Sequence, residues 1–173
     1  MTYPAPRHLG PGVATAALRP GSAGPDLRFT RGGAVHHLAT QASTGGDYGL
    51  FRWDMAAAPS GPEPHFHRGM SEAFYVLEGT VALFDGRRWT DAVPGDFLHV
   101  PPGGVHAFRN ESGAPASMLM LFTPGAPRES YFAELEEIAA RGRTLTGQQW
   151  TELYARHDQV MVDVDTLPGH RRG

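Results

Sequence analysis

The stretch Gly61-Pro62-Glu63-Pro64-His65-Phe66-His67-Arg68-Gly69-Met70-Ser71-Glu72, answered further on by Gly95, Pro101, Gly103, His106 and Asn110, decides how this chain is read. In an extended strand successive side chains alternate faces, so His65 and His67 point the same way with Cβ atoms roughly 7 Å apart. Two imidazoles at that separation can grip one ion. Glu72 follows across a short loop at the head of the apolar run Ala73-Phe74-Tyr75-Val76-Leu77 and shares a face with Phe74 and Val76. His106 arrives from a different strand. Three neutral ring nitrogens and one carboxylate oxygen suit a single divalent transition metal ion, and leave positions open if the ion takes five or six ligands.

The spacing of these residues resembles the two motifs of the cupin family. The first block reads His-x-His, four residues, Glu, six residues, Gly; the second reads Gly, five residues, Pro-x-Gly, two residues, His, three residues, Asn. The resemblance spans roughly residues 17 to 125 and implies that His65, His67, Glu72 and His106 are the metal ligands. Pro59 stands where the family has a glycine, with Gly61 nearby, a departure confined to the entry loop. His36, His37, His99 and His157 lie outside the pattern and read as surface or supporting residues; His99, in the strand of the second block, is the one that could line a cavity.

Outward from this centre the pattern is β. Leu27 to Thr30 ends at the Gly32-Gly33 turn, Ala34 to Gln41 breaks at Gly45-Gly46, and Tyr48 to Met55 alternates Phe51, Trp53 and Met55 against Leu50, Arg52 and Asp54. Phe51, Trp53 and Met55 read as core, with a pocket wall as the alternative. Prolines between Pro59 and Pro64 stiffen the loop that delivers the first histidine. Glu78-Gly79 turns the chain into Thr80 to Asp85, and Asp85-Gly86 is a hairpin signal before Arg87 to Ala92. Val105 to Asn110 and Ala116 to Thr123 complete a set of short strands divided by Gly and Pro. Such a set is expected to form an all-β sandwich or barrel, and the family's fold, the double-stranded β-helix or jelly roll, fits it.

After Pro124-Gly125 the period changes. Tyr131, Phe132, Leu135, Ile138 and Ala139 recur at helical intervals up to Gly142, and Thr146 with Gln149 forms a capping box ahead of Trp150, Leu153 and Tyr154. Two helices are therefore expected, packed on the barrel mouth or on a second subunit. Glu129, Glu134, Glu136, Glu137 and Glu152 would repel phosphate, which argues against nucleic acid as a partner. The expected organisation is an irregular arm over residues 1–26 with a short strand near Ala16 to Arg19, a barrel over 27–125, C-terminal helices over 126–160 and a tail over 161–173.

Composition bounds the chemistry. The 173 residues suffice for one domain with a sizeable core. The net charge of −3 sets 15 basic residues, all arginine, against 18 acids; arginine as the only cationic residue beside abundant Ala, Gly and Pro matches a GC-rich bacterial genome. Without lysine there is no Schiff base and no P-loop, and with Cys 0 there is no thiol nucleophile, disulfide or thiolate metal site. Catalysis is left to His, carboxylates, hydroxyls or a metal. Lack of cysteine is compatible with the cytoplasm, and no signal peptide or membrane span is readable at the N-terminus. Apolar strand faces and the helical extension point to a homodimer.

A divalent ion with one carboxylate ligand keeps net positive charge in an apolar barrel, where attraction for an anionic oxygen is strengthened. An enolate, phenolate or β-diketone substrate fits, with dioxygen as co-substrate where the ion is redox-active. Glu72 is the candidate catalytic base for the substrate's hydroxyl proton, and Phe66, Met70, Phe74, Phe84 and Phe108 are candidates for the pocket walls. The runs His65-Phe66-His67-Arg68 and Glu72 to Gly79, with the helical extension, are similar to small single-domain cupins related to quercetin 2,3-dioxygenase. That similarity implies a metal-dependent dioxygenase acting on an aromatic or enolic small molecule. The scaffold serves many functions, so a redox-silent metal-dependent polyketide cyclase or isomerase and a non-catalytic binding module remain alternatives. The ligand set accepts Fe, Mn, Ni, Co, Cu or Zn alike.

Overall fold

Alternating apolar residues carry the chain through a series of short strands in the computed structural model, which describes residues 3–167. In chain order these are β1 (Leu27–Arg28), β2 (Ala34–Ala39), the short helix α1 (Gln41–Thr44), β3 (Gly49–Met55), β4 (His65–Phe66), β5 (Ser71–Glu78), β6 (Val81–Phe84), β7 (Trp89–Ala92), β8 (Phe97–Val100), β9 (Ala107–Arg109) and β10 (Ala116–Thr123). Two helices follow, α2 (Arg128–Ala140) and α3 (Gly147–Arg156), then a last strand β11 (Val160–Met161).

All pairings are antiparallel. A six-stranded sheet runs β1-β2-β3-β10-β5-β8, a three-stranded sheet runs β7-β6-β9, and β11 pairs with β4 alone. Period-two patterning fixes which side faces in: on β10 Met118, Met120 and Phe122 are buried, and on β3 Phe51 and Met55 are buried while Arg52 turns out to ion-pair with Asp54. Side chains of the two larger sheets meet in one core. Phe74 of β5 lies 5.6 Å from Phe108 of β9 between ring centroids, and Phe108 lies 6.1 Å from Trp53 of β3. This is the double-stranded β-helix expected, with the helical part at its C-terminal end.

Helix α2 closes the mouth. It buries Tyr131, Phe132 and Ile138, and the Phe132 ring packs edge-on at 5.2 Å from Phe51 and 5.1 Å from Trp53. Of the two partners expected for the helices, the barrel is therefore one they have. Helix α3 begins with the capping box read from the sequence: Thr146 accepts from the Gln149 amide, and Gln149 accepts from the Thr146 amide.

Three details depart from the sequence reading. No strand forms over residues 16–19, because the Arg19 guanidinium instead pairs with Asp26 and the Gly24 carbonyl, folding that segment on itself. The strand expected to reach Gln41 ends at Ala39, where Thr40 caps α1 through a reciprocal pair of bonds with Ser43. Beyond β11, the Val162 amide donates to the Pro64 carbonyl and residues 164–166 form a 3-10 turn, while residues 168–173 of the expected tail lie outside the described residues. Among the described residues no helix is long and apolar enough to cross a membrane.

Gly61 shows how closely the entry loop is held. Its φ is 141°, and a Cβ there would fall 1.9 Å from the Phe108 carbonyl oxygen. The loop thus lies against β9, the strand that follows the third histidine, and only glycine permits that approach.

Candidate metal centre

His65, His67, Glu72 and His106 come together from three places in the chain. His65 and His106 face each other across a two-way backbone bridge, with His65 N donating to His106 O at 3.0 Å and His106 N to His65 O at 2.9 Å. The Gly103 amide donates to the His67 carbonyl at 2.7 Å, fastening the loop of the second sequence block to the first. Glu72 enters from the start of β5, whose inward face it shares with Phe74 and Val76. All four side chains are at most 3% exposed, and each offers a ligand atom within 4.8 Å of the others.

Hydrogen bonding settles which nitrogen each ring presents. The Nδ1 atoms of His65, His67 and His106 lie against the carbonyl oxygens of Glu63, Asp158 and Gly104. A carbonyl only accepts, so each Nδ1 carries a proton and each Nε2 is the atom turned to the centre, free to bind an ion once any proton it shares with Glu72 is displaced. The Nε2 atoms of His67 and His106 stand 3.0 and 2.9 Å from the same oxygen of Glu72, Oε2. Three ring nitrogens and a carboxylate, buried and turned to one point, are a donor set that fits a divalent transition ion. Backbone carbonyls hold the rings to that purpose.

Electrostatics agree with an acceptor-rich centre. Burial pushes His65 down to about 3, reinforced by His106, so His65 is neutral at ordinary pH. Burial alone would lift the Glu72 carboxyl, but the charge and hydrogen bond of His106 and the bond from His67 outweigh it and hold it well below the usual carboxylate range. His106 moves the other way: burial opposes its charge, yet Glu72 raises it. A cation drawn to these lone pairs competes with the proton that Glu72 and His106 share.

Beside the centre lies a cavity of about 260 Å³ that touches His65 and Glu72. Its walls are largely aromatic, with Trp53, Phe108, Phe132, Trp150 and Tyr154 among them, and Arg128 and Gln159 are its buried polar residues besides the ligands. Of the five apolar side chains expected as walls, Phe108 lines this cavity. Phe74 stands behind it, 5.8 Å from the His106 ring. Phe66 alternates away from its flanking histidines and lies beneath Arg68; Met70 is in the core; Phe84 packs on Trp89 in the smaller sheet. Most of the walls that sequence reasoning missed come from α2, α3 and the segment after them, with Phe29, Pro62 and Met120 added from the barrel and its entry loop. Trp53 takes the pocket-wall reading considered for its stripe, and His99 is exposed.

Asp158 is the residue with least warning in the sequence. It sits at φ 51° after α3, its carbonyl accepts from His67 Nδ1, and its carboxylate accepts from the amides of Arg68 and Gly69. The C-terminal segment therefore turns a candidate ligand ring that lies 91 positions earlier.

A family profile described as Cupin domain matches residues 51–122. Quercetin 2,3-dioxygenase of Bacillus subtilis is 31% identical over 104 residues, covering 57% of this chain and 29% of the relative. A germin-like protein of Arabidopsis thaliana, subfamily T member 3, is 32% identical over 89 residues, covering 47% of this chain and 38% of the relative. The chain thus spans only about a third of the length of these curated relatives. Among solved structures, one described as a predicted oxalate decarboxylase from Thermotoga maritima superposes with a TM-score of 0.54 at 20% identity, over 63% of this chain and 99% of the other, a likeness of fold.

Proposed function

From the premise that this chain belongs to the cupin superfamily, we propose that it is a metal-dependent oxygenase acting on an aromatic or enolic small molecule. The observation that carries the reading is the opening of a buried three-histidine, one-carboxylate donor set onto a cavity walled by aromatic rings. The name of the Bacillus subtilis relative, quercetin 2,3-dioxygenase, supports an oxygen-dependent reaction on an enolic ring compound.

His65, His67, Glu72 and His106 hold the ion, of the set Fe, Mn, Ni, Co, Cu or Zn. When bound, it supplies a Lewis acid for an enolate or phenolate oxygen and, if redox-active, a route for electrons. Rings of Trp53, Phe108, Phe132, Trp150 and Tyr154 line the cavity, where they pack against a flat substrate and exclude water. Glu72 meets both imidazoles through Oε2, which leaves Oε1 to take the substrate's hydroxyl proton. Ionised, as a base must be, the carboxylate can accept that proton and pass it on.

The test is elemental analysis of purified protein, then oxygen uptake with quercetin and smaller enols after reloading with each ion. One ion per chain and metal-dependent uptake are expected, with Glu72→Gln lowering turnover by about 10²-fold or more while ligand binding persists. A loaded protein that consumes no oxygen with any enol overturns the oxygenase reading. Turnover without oxygen would assign the redox-silent chemistry of a cyclase or isomerase instead.

A further inference from the structure

The same cavity holds a cation that the metal chemistry does not use. Arg128 opens α2, is 4% exposed and lines the cavity together with His65 and Glu72. A buried arginine is ordinarily matched by a carboxylate, because an unpaired buried charge is expensive. Here, among the described residues, no carboxylate reaches ion-pair distance of it. Nη1 donates to the His157 carbonyl at 2.9 Å, Nη2 reaches Gln159 Oε1 only at 3.5 Å, and the buried Nε has no partner. Rings of Tyr131, Phe122 and Phe132 lie 4.3 to 5.4 Å from the guanidinium carbon. They favour a cation electrostatically but accept no strong hydrogen bond.

The carboxylates whose charge acts on Arg128, Glu72 and Asp158, are already committed. Glu72 is taken up by His67 and His106, and Asp158 by the amides of Arg68 and Gly69. A divalent ion on the four ligands adds two positive charges against the one negative charge of Glu72, so ion and guanidinium together leave the cavity strongly positive. A guanidinium with spare donors in a fork geometry is the group best matched to a carboxylate.

We propose that Arg128 is a specificity-determining residue that binds a carboxylate of the substrate, so that the molecule turned over is a compact enolic or phenolic acid and not a neutral flavonol. This rests on reading the cavity as the substrate site. A cavity of about 260 Å³ lies at the low end of small-molecule pockets, about 300–1,000 Å³, which favours a compact substrate. The acid end sits on Arg128 and the hydroxyl end on the Glu72 side. Each buried anion–guanidinium contact is intolerant of a neutral isostere, since the amide leaves the charge unmatched.

The experiment compares 3- and 4-hydroxybenzoate with their carboxamides at pH 7.5, binding followed by quenching of Trp53 and Trp150 fluorescence and by calorimetry. Metal content is measured on the same samples. In the wild-type protein the acids are expected to bind about 10- to 100-fold more tightly than the amides. Arg128→Gln should erase that preference while leaving amide affinity within about twofold, and Arg128→Lys should restore part of it. Acids no tighter than amides in the wild type, including no binding of either at millimolar concentration, overturn the proposal, and that comparison does not depend on any variant folding. Retention of the preference in Arg128→Gln overturns it as well. Acid preference in protein that retains no ion would sink the metal-dependent reading and leave the role of Arg128 standing; a retained ion with no acid preference would do the reverse.

Discussion

Replacing Asp158 by alanine should loosen the metal centre without touching a ligand. The Asp158 carboxylate receives the Arg68 amide at 3.0 Å from both oxygens and the Gly69 amide at 2.8 Å, and so ties the turn after His67 to the turn after α3. Hydrogen bonds to a charged acceptor contribute about 1.5–3 kcal/mol each when buried. These amides are exposed, so about 2 kcal/mol for the two together is the appropriate scale. Alanine at φ 51° adds about 1 kcal/mol of backbone strain. A total of about 3 kcal/mol lowers Tm by about 6–12 °C in a chain of this size. Freed of its partner turn, the Asp158 carbonyl no longer fixes His67 Nδ1, and loss of such a support typically costs about 10- to 100-fold in metal affinity. Asp158→Gly, which accepts the left-handed conformation, isolates the lost carboxylate from the strain. The assay is competition for the ion with a chromophoric chelator at pH 7.5, beside thermal unfolding of the loaded protein. Wild-type metal affinity in Asp158→Ala, whatever its Tm, would refute the claim that this turn orients the ring.

Other outcomes follow from the same geometry. Gly61→Ala should destabilise the protein by about 2–3 kcal/mol, because a Cβ cannot share space with the Phe108 carbonyl; unchanged denaturation midpoints would show that the loop relaxes freely. Chelator-treated protein should lose stability as pH falls below 6.5, since the unfolded His65 ring takes up a proton that the folded ring, held near 3, refuses. The slope is about 1 kcal/mol per pH unit, and a flat profile between pH 6 and 4 in urea titrations would contradict it. His106 acts in the opposite sense, its contribution present below 6.5 and lost as pH rises through its raised value. His99→Ala should leave metal content and binding as in the wild type, and any loss of ion would return that exposed residue to the centre.

The four candidate ligands were legible because each is set by local rules: alternation in a strand brings His65 and His67 to one side, and short turns fix Glu72 and His106 relative to glycines and prolines nearby. The helices were legible for the same reason, from the spacing of Tyr131, Phe132, Leu135 and Ile138 and from the Thr146 capping box. What faces the cavity was not. Arg128, Trp150, Tyr154 and Gln159 reach it only through the docking of α2, α3 and the segment after them onto the barrel, and no periodicity encodes where a helix end will lie against a sheet. Two misses were avoidable. Phe66, lying between two inward histidines, had to point outward, and Thr40 with Ser43 is a helix start inside what reads as a strand.

The pairing of β11 with β4 gives the centre a place in time. A nascent chain that has emerged as far as α2 already carries all four ligands, yet the carbonyl that turns the His67 ring and the strand that flanks His65 are made last. On the proposed metal reading, secure capture of an ion would be reserved for a chain synthesised beyond residue 161, and a fragment ending before it would hold the ion loosely and surrender it to competing chelators.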